Sequence, residues 1–175
     1  LAVVAAVSLM RREPAPLVVG AVTPVTRSTD TLNFDAAISP DGRRIAFQMV
    51  APWEDEFRNY RGGQNNPIRI VDLASLEEEK LPWEADERPN DSKPVWIGDT
   101  IFFLSDRDYA MNVWAYSLKT KQLRQVTKFK DFDSKNLGAG ASMLIFENGG
   151  YLHTLDTKGG EPKKLNITVE GDFAW

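Results

Sequence analysis

The chain contains no cysteine in 175 residues, which removes disulfides, thiolate nucleophiles and zinc–thiolate sites. It has a single histidine, His153, so a nucleophile–base pair has one candidate base. A charge excess of either sign is missing: 21 Lys and Arg stand against 25 Asp and Glu, for a net charge of −4. That balance gives no reason to expect nucleic acid or an anionic membrane as partner. The apolar stretch at residues 1–10 falls short of the roughly 20 residues that span a bilayer as a helix, so no membrane span is expected. A sustained helical period is absent as well; residues 73–81 hold only a charge-rich stretch worth one turn. The Gly-rich pieces Arg61-Gly62-Gly63 and Gly149-Gly150 lack the strand-to-helix setting and the Lys-Ser/Thr of a phosphate cradle.

What is present is a phrase written three times. Its first part is a short apolar strand after a turn: Ser39-Pro40-Asp41-Gly42 before Ile45-Ala46-Phe47, Ile97-Gly98-Asp99 before Ile101-Phe102-Phe103-Leu104, and Gly138-Ala139-Gly140-Ala141 before Leu144-Ile145-Phe146. The second part ends at Asp72, Ser117 and Asp156, and the third, a charged segment closing apolar, at Leu81, Val126 and Leu165. Both landmarks advance by 45 and then by 39 residues. Two landmarks sharing one shift define an internal repeat, and short strands repeating near this length are the pattern of a β-propeller blade.

The spacing predicts an all-β chain with about three four-stranded antiparallel blades, at residues 34–84, 93–130 and 134–170. In the first, strands are expected at 36–38, 45–50, 68–73 and 78–83; in the second, at 94–96, 100–104, 112–118 and 123–127. Pro preset for a turn, Asp bonding backbone amides and Gly at positive φ explain the Pro-Asp-Gly returns. Residues 1–33, broken by Pro14, Pro16 and Pro24, fit the repeat poorly. Residues 1–10 read either as a strand of an earlier blade, which is favoured, or as the tail of a leader; Arg11-Arg12 lies on the wrong side for the latter. Blades stack face to face, so an inner strand is apolar on both faces, which accounts for the unbroken runs 101–104 and 143–146. Three blades do not close a ring. The chain is therefore expected to be part of a longer polypeptide and, alone, to expose two apolar blade faces.

Chemistry-bearing residues are few. His153 aligns with Arg69 and Trp114 in the other copies, which marks a partly solvated strand position and not a base. The acidic clusters Glu54-Asp55-Glu56 and Glu77-Glu78-Glu79 have no metal-loop spacing, and Asp106-Arg107-Asp108 reads as a self-compensating surface turn. No catalytic residue, cofactor site or metal site is expected. One segment breaks the repeat grammar: residues 53–64 lengthen the first blade and bring aromatic and cationic groups together. Within it Arg58, Tyr60 and Arg61 are candidates for meeting a carboxylate or peptide end. The plainer reading gives the arginines a structural role.

Several of these stretches resemble the first propeller of tricorn-type proteases: Phe57-Arg58-Asn59-Tyr60-Arg61-Gly62-Gly63 with Ile68-Arg69-Ile70-Val71-Asp72-Leu73, then residues 94–107, Met111-Asn112-Val113-Trp114, Gln125-Val126-Thr127-Lys128-Phe129 and residues 145–152. The Pro-Asp-Gly and Ser-Asp-Arg pieces alone are shared with TolB-like and prolyl-oligopeptidase-type propellers. The resemblance implies a six-bladed ring in a large serine peptidase that degrades oligopeptides, with a PDZ-like domain and a catalytic region elsewhere. It further implies homo-oligomers, peptide substrates met through the full-length protein, and a propeller that gates or guides peptide access. A cytoplasmic location is expected on the same ground, with periplasmic or secreted as the alternative. The rival expectation is a TolB-like propeller that binds a protein partner and has no enzymatic activity.

Overall fold

A computed structural model describes residues 34–48, 59–63, 65–83 and 87–168. The expectations placed on residues 1–33, on the Glu54-Asp55-Glu56 cluster and on Arg58 lie outside these residues. Among the described residues, twelve strands form three four-stranded antiparallel sheets, each in chain order. The first holds β1 (Phe34–Ile38), β2 (Arg44–Gln48), β3 (Arg69–Asp72) and β4 (Glu78–Lys80). The second holds β5 (Asp91–Ile97), β6 (Thr100–Asp108), β7 (Ala110–Ser117) and β8 (Leu123–Gln125). The third holds β9 (Ser134–Ala139), β10 (Met143–Asn148), β11 (Tyr151–Asp156) and β12 (Lys163–Lys164). Every strand expected from the repeat is present, and the innermost ones run longer than the apolar letters alone suggested.

Local chemistry makes the turns. At the first return the Ser39 hydroxyl donates to Asp41 Oδ1 at 2.6 Å, the Arg43 amide donates to the same oxygen at 3.1 Å, and Gly42 takes φ 70°. These bonds hold Asp41 below the usual carboxylate range, the Ser39 hydroxyl contributing most. The chain reverses, and Ile38 pairs with Ile45.

Side chains alternate along β6 and feed two cores. Ile101 and Phe103 join Ala46, Ile68, Ile70 and Leu81 of the first sheet, with Tyr116 beside them. Phe102 and Leu104 join Leu137, Leu144, Phe146 and Leu155 of the third. The unbroken run is thus explained by cover on both faces. The first strands of successive sheets touch one another, β1 with β5 and β5 with β9, while the fourth strands make no comparable contact. Sheets that meet at one edge and diverge at the other are arranged radially, with an axis beside β1, β5 and β9. This is a partial β-propeller.

The two outer faces differ in how far they are exposed. On the third sheet, Met143, Ile145 and Leu152 point away from the second sheet and are 44%, 39% and 38% exposed. On the first, Phe47 and Val71 face away from the second sheet and are buried, while Ile38 at the edge of that same face is 64% exposed.

Candidate functional site

Each second strand runs toward one end of the arc, where the turns into the third strands and the entries to the next first strands gather. At this loop end the segment at residues 59–63 folds over the second sheet. The Arg61 guanidinium donates from one nitrogen to both oxygens of Asp106 at 2.9 Å and from the other to the Asp106 carbonyl at 3.0 Å. Two backbone amides, of Asn59 and Asn90, also donate to the Asp106 carboxylate, each at 2.9 Å. Asp106 is fully buried and its partner's side chain is 33% exposed. Charge-assisted bonds from both sides of the seam therefore fix this segment in register with β6.

Beside it lies a second buried pair. Arg107 donates to Asp91 Oδ2 at 2.7 Å, and the Trp83 indole donates to the same oxygen at 3.0 Å. Burial pushes the Asp91 carboxyl up, against the pull of Arg107. The Arg107 guanidinium also lies over the Phe103 and Trp114 rings, 6.0 and 5.9 Å from their centroids.

This geometry corrects the reading of Asp106-Arg107-Asp108 as a surface turn. The three residues close β6 across the register shift that follows Ser105, and Asp106 and Arg107 take separate partners, Arg61 and Asp91. Each finds its partner far away in sequence, and only Asp108 is exposed. Composition could not show this. The one signal was position, since the three follow directly on the buried run 101–104 and continue its strand.

Arg61 is placed by the structure as the cationic half of the Asp106 pair, while Tyr60 sits next to it, half-buried. His153 is buried, which corrects the expectation of a partly solvated position. It stacks on Phe146 at 5.7 Å and meets Phe129 edge-on at 5.6 Å. Its Nδ1 lies 3.1 Å from the Tyr151 carbonyl, so the ring donates there. The ring is a core aromatic. The acidic run at residues 77–79 separates: Glu78 pairs with Arg69, while Glu79 turns to Lys121 and the Tyr116 hydroxyl.

Radial four-stranded sheets meeting along one edge make the chain an arc of the propeller class, and comparison with known proteins narrows that class. Residues 17–161 match the family described as the Tricorn protease N-terminal beta propeller domain, and the chain belongs to that family. The match starts inside the segment that fits the repeat poorly. Among its relatives, the Tricorn protease homolog of Saccharolobus solfataricus is 27% identical over 126 residues, covering 72% of this chain and 11% of that protein. The Tricorn protease of Thermoplasma acidophilum is 27% identical over 127 residues, covering 73% and 11%. The chain thus spans about one tenth of the length of these curated relatives. Among solved structures, a putative TolB from Agrobacterium tumefaciens superposes with a TM-score of 0.62 at 15% identity, over 80% of this chain and 50% of that one. The crystal structure of the tricorn protease gives 0.60 at 20% identity, over 81% and 18%. Among the described residues no helix is long and apolar enough to cross a membrane.

Proposed function

We propose that this arc is the non-catalytic propeller portion of a tricorn-like serine endopeptidase and guides oligopeptides to or from an active site on another domain. The observation that carries the reading is family membership over residues 17–161. The loop end supports it: loops on a rigid ring are where recognition is usually built, and the Arg61–Asp106 pair fixes residues 59–63 there without motion to order on binding. Within this segment Tyr60, together with Arg58, contacts the passing peptide, and Arg61 holds the segment in place. The working protein is a cytoplasmic homo-oligomer in which the rest of the propeller, a PDZ-like region and the catalytic domain are the chain's partners.

The test is kinetic, in the full-length peptidase. Arg58→Ala and Tyr60→Ala should raise KM for long peptides several-fold and leave short ones unchanged; identical kinetics on both lengths would remove the segment from the pathway. The purified 175-residue chain should hydrolyse none of these peptides, and turnover by it alone would overturn the non-catalytic assignment.

A TolB-like protein-binding propeller is the second reading, since a putative TolB shares the fold at a TM-score of 0.62. The two part at the gene: a serine-peptidase domain encoded in the same reading frame supports the first, and a lone propeller supports the second.

A further inference from the structure

The two seams between neighbouring sheets differ at the end opposite the loops, where the first is filled. Arg44, which pairs with Asp72, holds its guanidinium 5.3 Å from the Trp96 ring centroid. Glu79 accepts from the Tyr116 hydroxyl at 2.9 Å and from Lys121 Nζ at 2.6 and 2.7 Å. A carboxylate of the first sheet thus meets a hydroxyl and an ammonium of the second. The second seam repeats these positions with other residues. On its near wall Thr100 pairs with Ser117 where Arg44 pairs with Asp72, and the 45-residue shift puts Arg124 where Glu79 stands. On its far wall the 39-residue shift puts Leu155 in place of Tyr116 and Gly160 in place of Lys121. Ala139 pairs with Leu144 there, as Trp96 pairs with Ile101. All three far-wall residues are smaller than their counterparts. A cleft of about 420 Å³ is left, and its lining includes Thr100, Ala115, Ser117, Thr120, Gln122 and Arg124. Arg124 pairs with Ala115, a member of the core shared with the third sheet, so it stands on the wall that faces that sheet. Among the described residues no ion pair involves it.

We propose that this cleft binds a small organic carboxylate, with Arg124 as its cation and the Thr100, Ser117 and Thr120 hydroxyls as further donors. The first seam shows what the position takes: a carboxylate set between a cation and a hydroxyl. In the second the cation and hydroxyls are present, the sign on the sheet is reversed, and the carboxylate is missing. An arginine fork matches a carboxylate with two parallel bonds. One cation balances one carboxylate and would leave a phosphate dianion half-neutralised. The volume lies in the range of small-molecule sites, roughly 300–1,000 Å³, so the acid brings a body with it, and Ala115 gives that body an apolar floor. The carboxylate could come from the end of a short peptide or from a free organic acid. The inference goes beyond peptide guiding and does not depend on it.

The test is a ligand-observed NMR titration of the full chain with acetylated dialanine, its C-terminal amide, butyrate and inorganic phosphate. The free acid should bind, and the amide about tenfold more weakly or worse, as expected for loss of a charge-assisted bond. Binding of butyrate as well assigns small carboxylates in general, and binding of the dialanine acid alone assigns a peptide end; either supports the cleft. Arg124→Gln should weaken the acid about tenfold with an unchanged melting temperature. Arg124→Lys should keep part of the affinity, and Arg124→Glu, which installs the first seam's residue, should abolish it. Ser117→Ala should weaken binding about threefold. Equal binding of acid and amide, or of wild type and Arg124→Gln, overturns the proposal. So does tighter binding of phosphate than of either acid, and so does binding of neither acid.

Discussion

The two seams between neighbouring sheets are built from different materials. Between the first and second, an apolar core is bracketed by ion pairs: Arg61–Asp106 at the loop end, Lys93–Asp35 at 3.1 Å beside the axis, and Lys121–Glu79 at the opposite end. Between the second and third, the core is extended by aromatic packing of Phe129, Phe146 and His153 and by neutral bonds such as Asn112 Nδ2 to the Phe129 carbonyl at 2.9 Å. The apolar layer is the part the repeat preserves, and the polar bracket is the part it does not. Tyr116 and Leu155 occupy one repeat position and Glu79, Arg124 and Lys163 another. Each seam therefore holds by the same burial, while its charges are particular to the pair of blades it joins.

The largest effects should be common to both seams. Phe103 and Phe146 are each fully buried, one on either seam. Phe103→Ala or Phe146→Ala should cost about 3–5 kcal/mol in urea unfolding. Ile145→Ala, on the open face of the third sheet, should cost well under that, about 0.5 kcal/mol. A loss at Ile145 as large as at Phe146 would mean that the face is covered in solution. Conversely, Ile145→Thr with Met143→Thr should reduce dye binding and concentration-dependent association, measured by light scattering.

Next in size is the charged bracket. Asp106→Asn keeps the shape but withdraws the charge from Arg61 and two backbone amides, and a loss of about 3 kcal/mol is expected. Hydrogen exchange should show it at the Asn59 and Asn90 amides and leave the Phe129–Phe146–His153 side protected. Equal deprotection of both seams would show that they do not open separately.

The sequence was most legible where physics is local or periodic. The 45- and 39-residue shifts gave twelve strands in order, and the run 101–104 foretold a strand covered on both faces. The same grammar could not separate β6 from β10. Met143-Leu144-Ile145-Phe146 is as unbroken as Ile101-Phe102-Phe103-Leu104, yet only Leu144 and Phe146 are buried in it. Burial of Asp106 and Arg107 was illegible for a related reason. Their partners lie 45 and 16 residues away, and each carboxylate or guanidinium looks alone in sequence until the sheets meet. The segment from Arg58 to Arg61 was visible as an insertion, but whether its arginine faced outward or served a buried carboxylate depended on that same meeting.

The smallest predicted effect belongs to the Glu79 end of the first seam, and its sign distinguishes it from the rest. Burial works against the Glu79 carboxylate, but the bonds from Lys121 and Tyr116 win and hold its pKa below the ordinary value. Burial first, and then Glu79, push the Tyr116 hydroxyl up to about 12. A lowered carboxyl contributes stability that is present above about pH 4.5 and lost as pH falls through its folded value. A raised phenol contributes stability that is present below about pH 10 and lost as pH climbs toward 12. The contact should therefore stabilise across the neutral range and fade at both extremes. Because Lys121 and Glu79 are more than a third exposed, the gain at neutral pH should be about 0.5 kcal/mol and should shrink further in 1 M salt. Tyr116→Phe should remove the alkaline arm of the stability profile and leave most of the acid arm. An unchanged alkaline arm in that variant would place the titration elsewhere in the molecule.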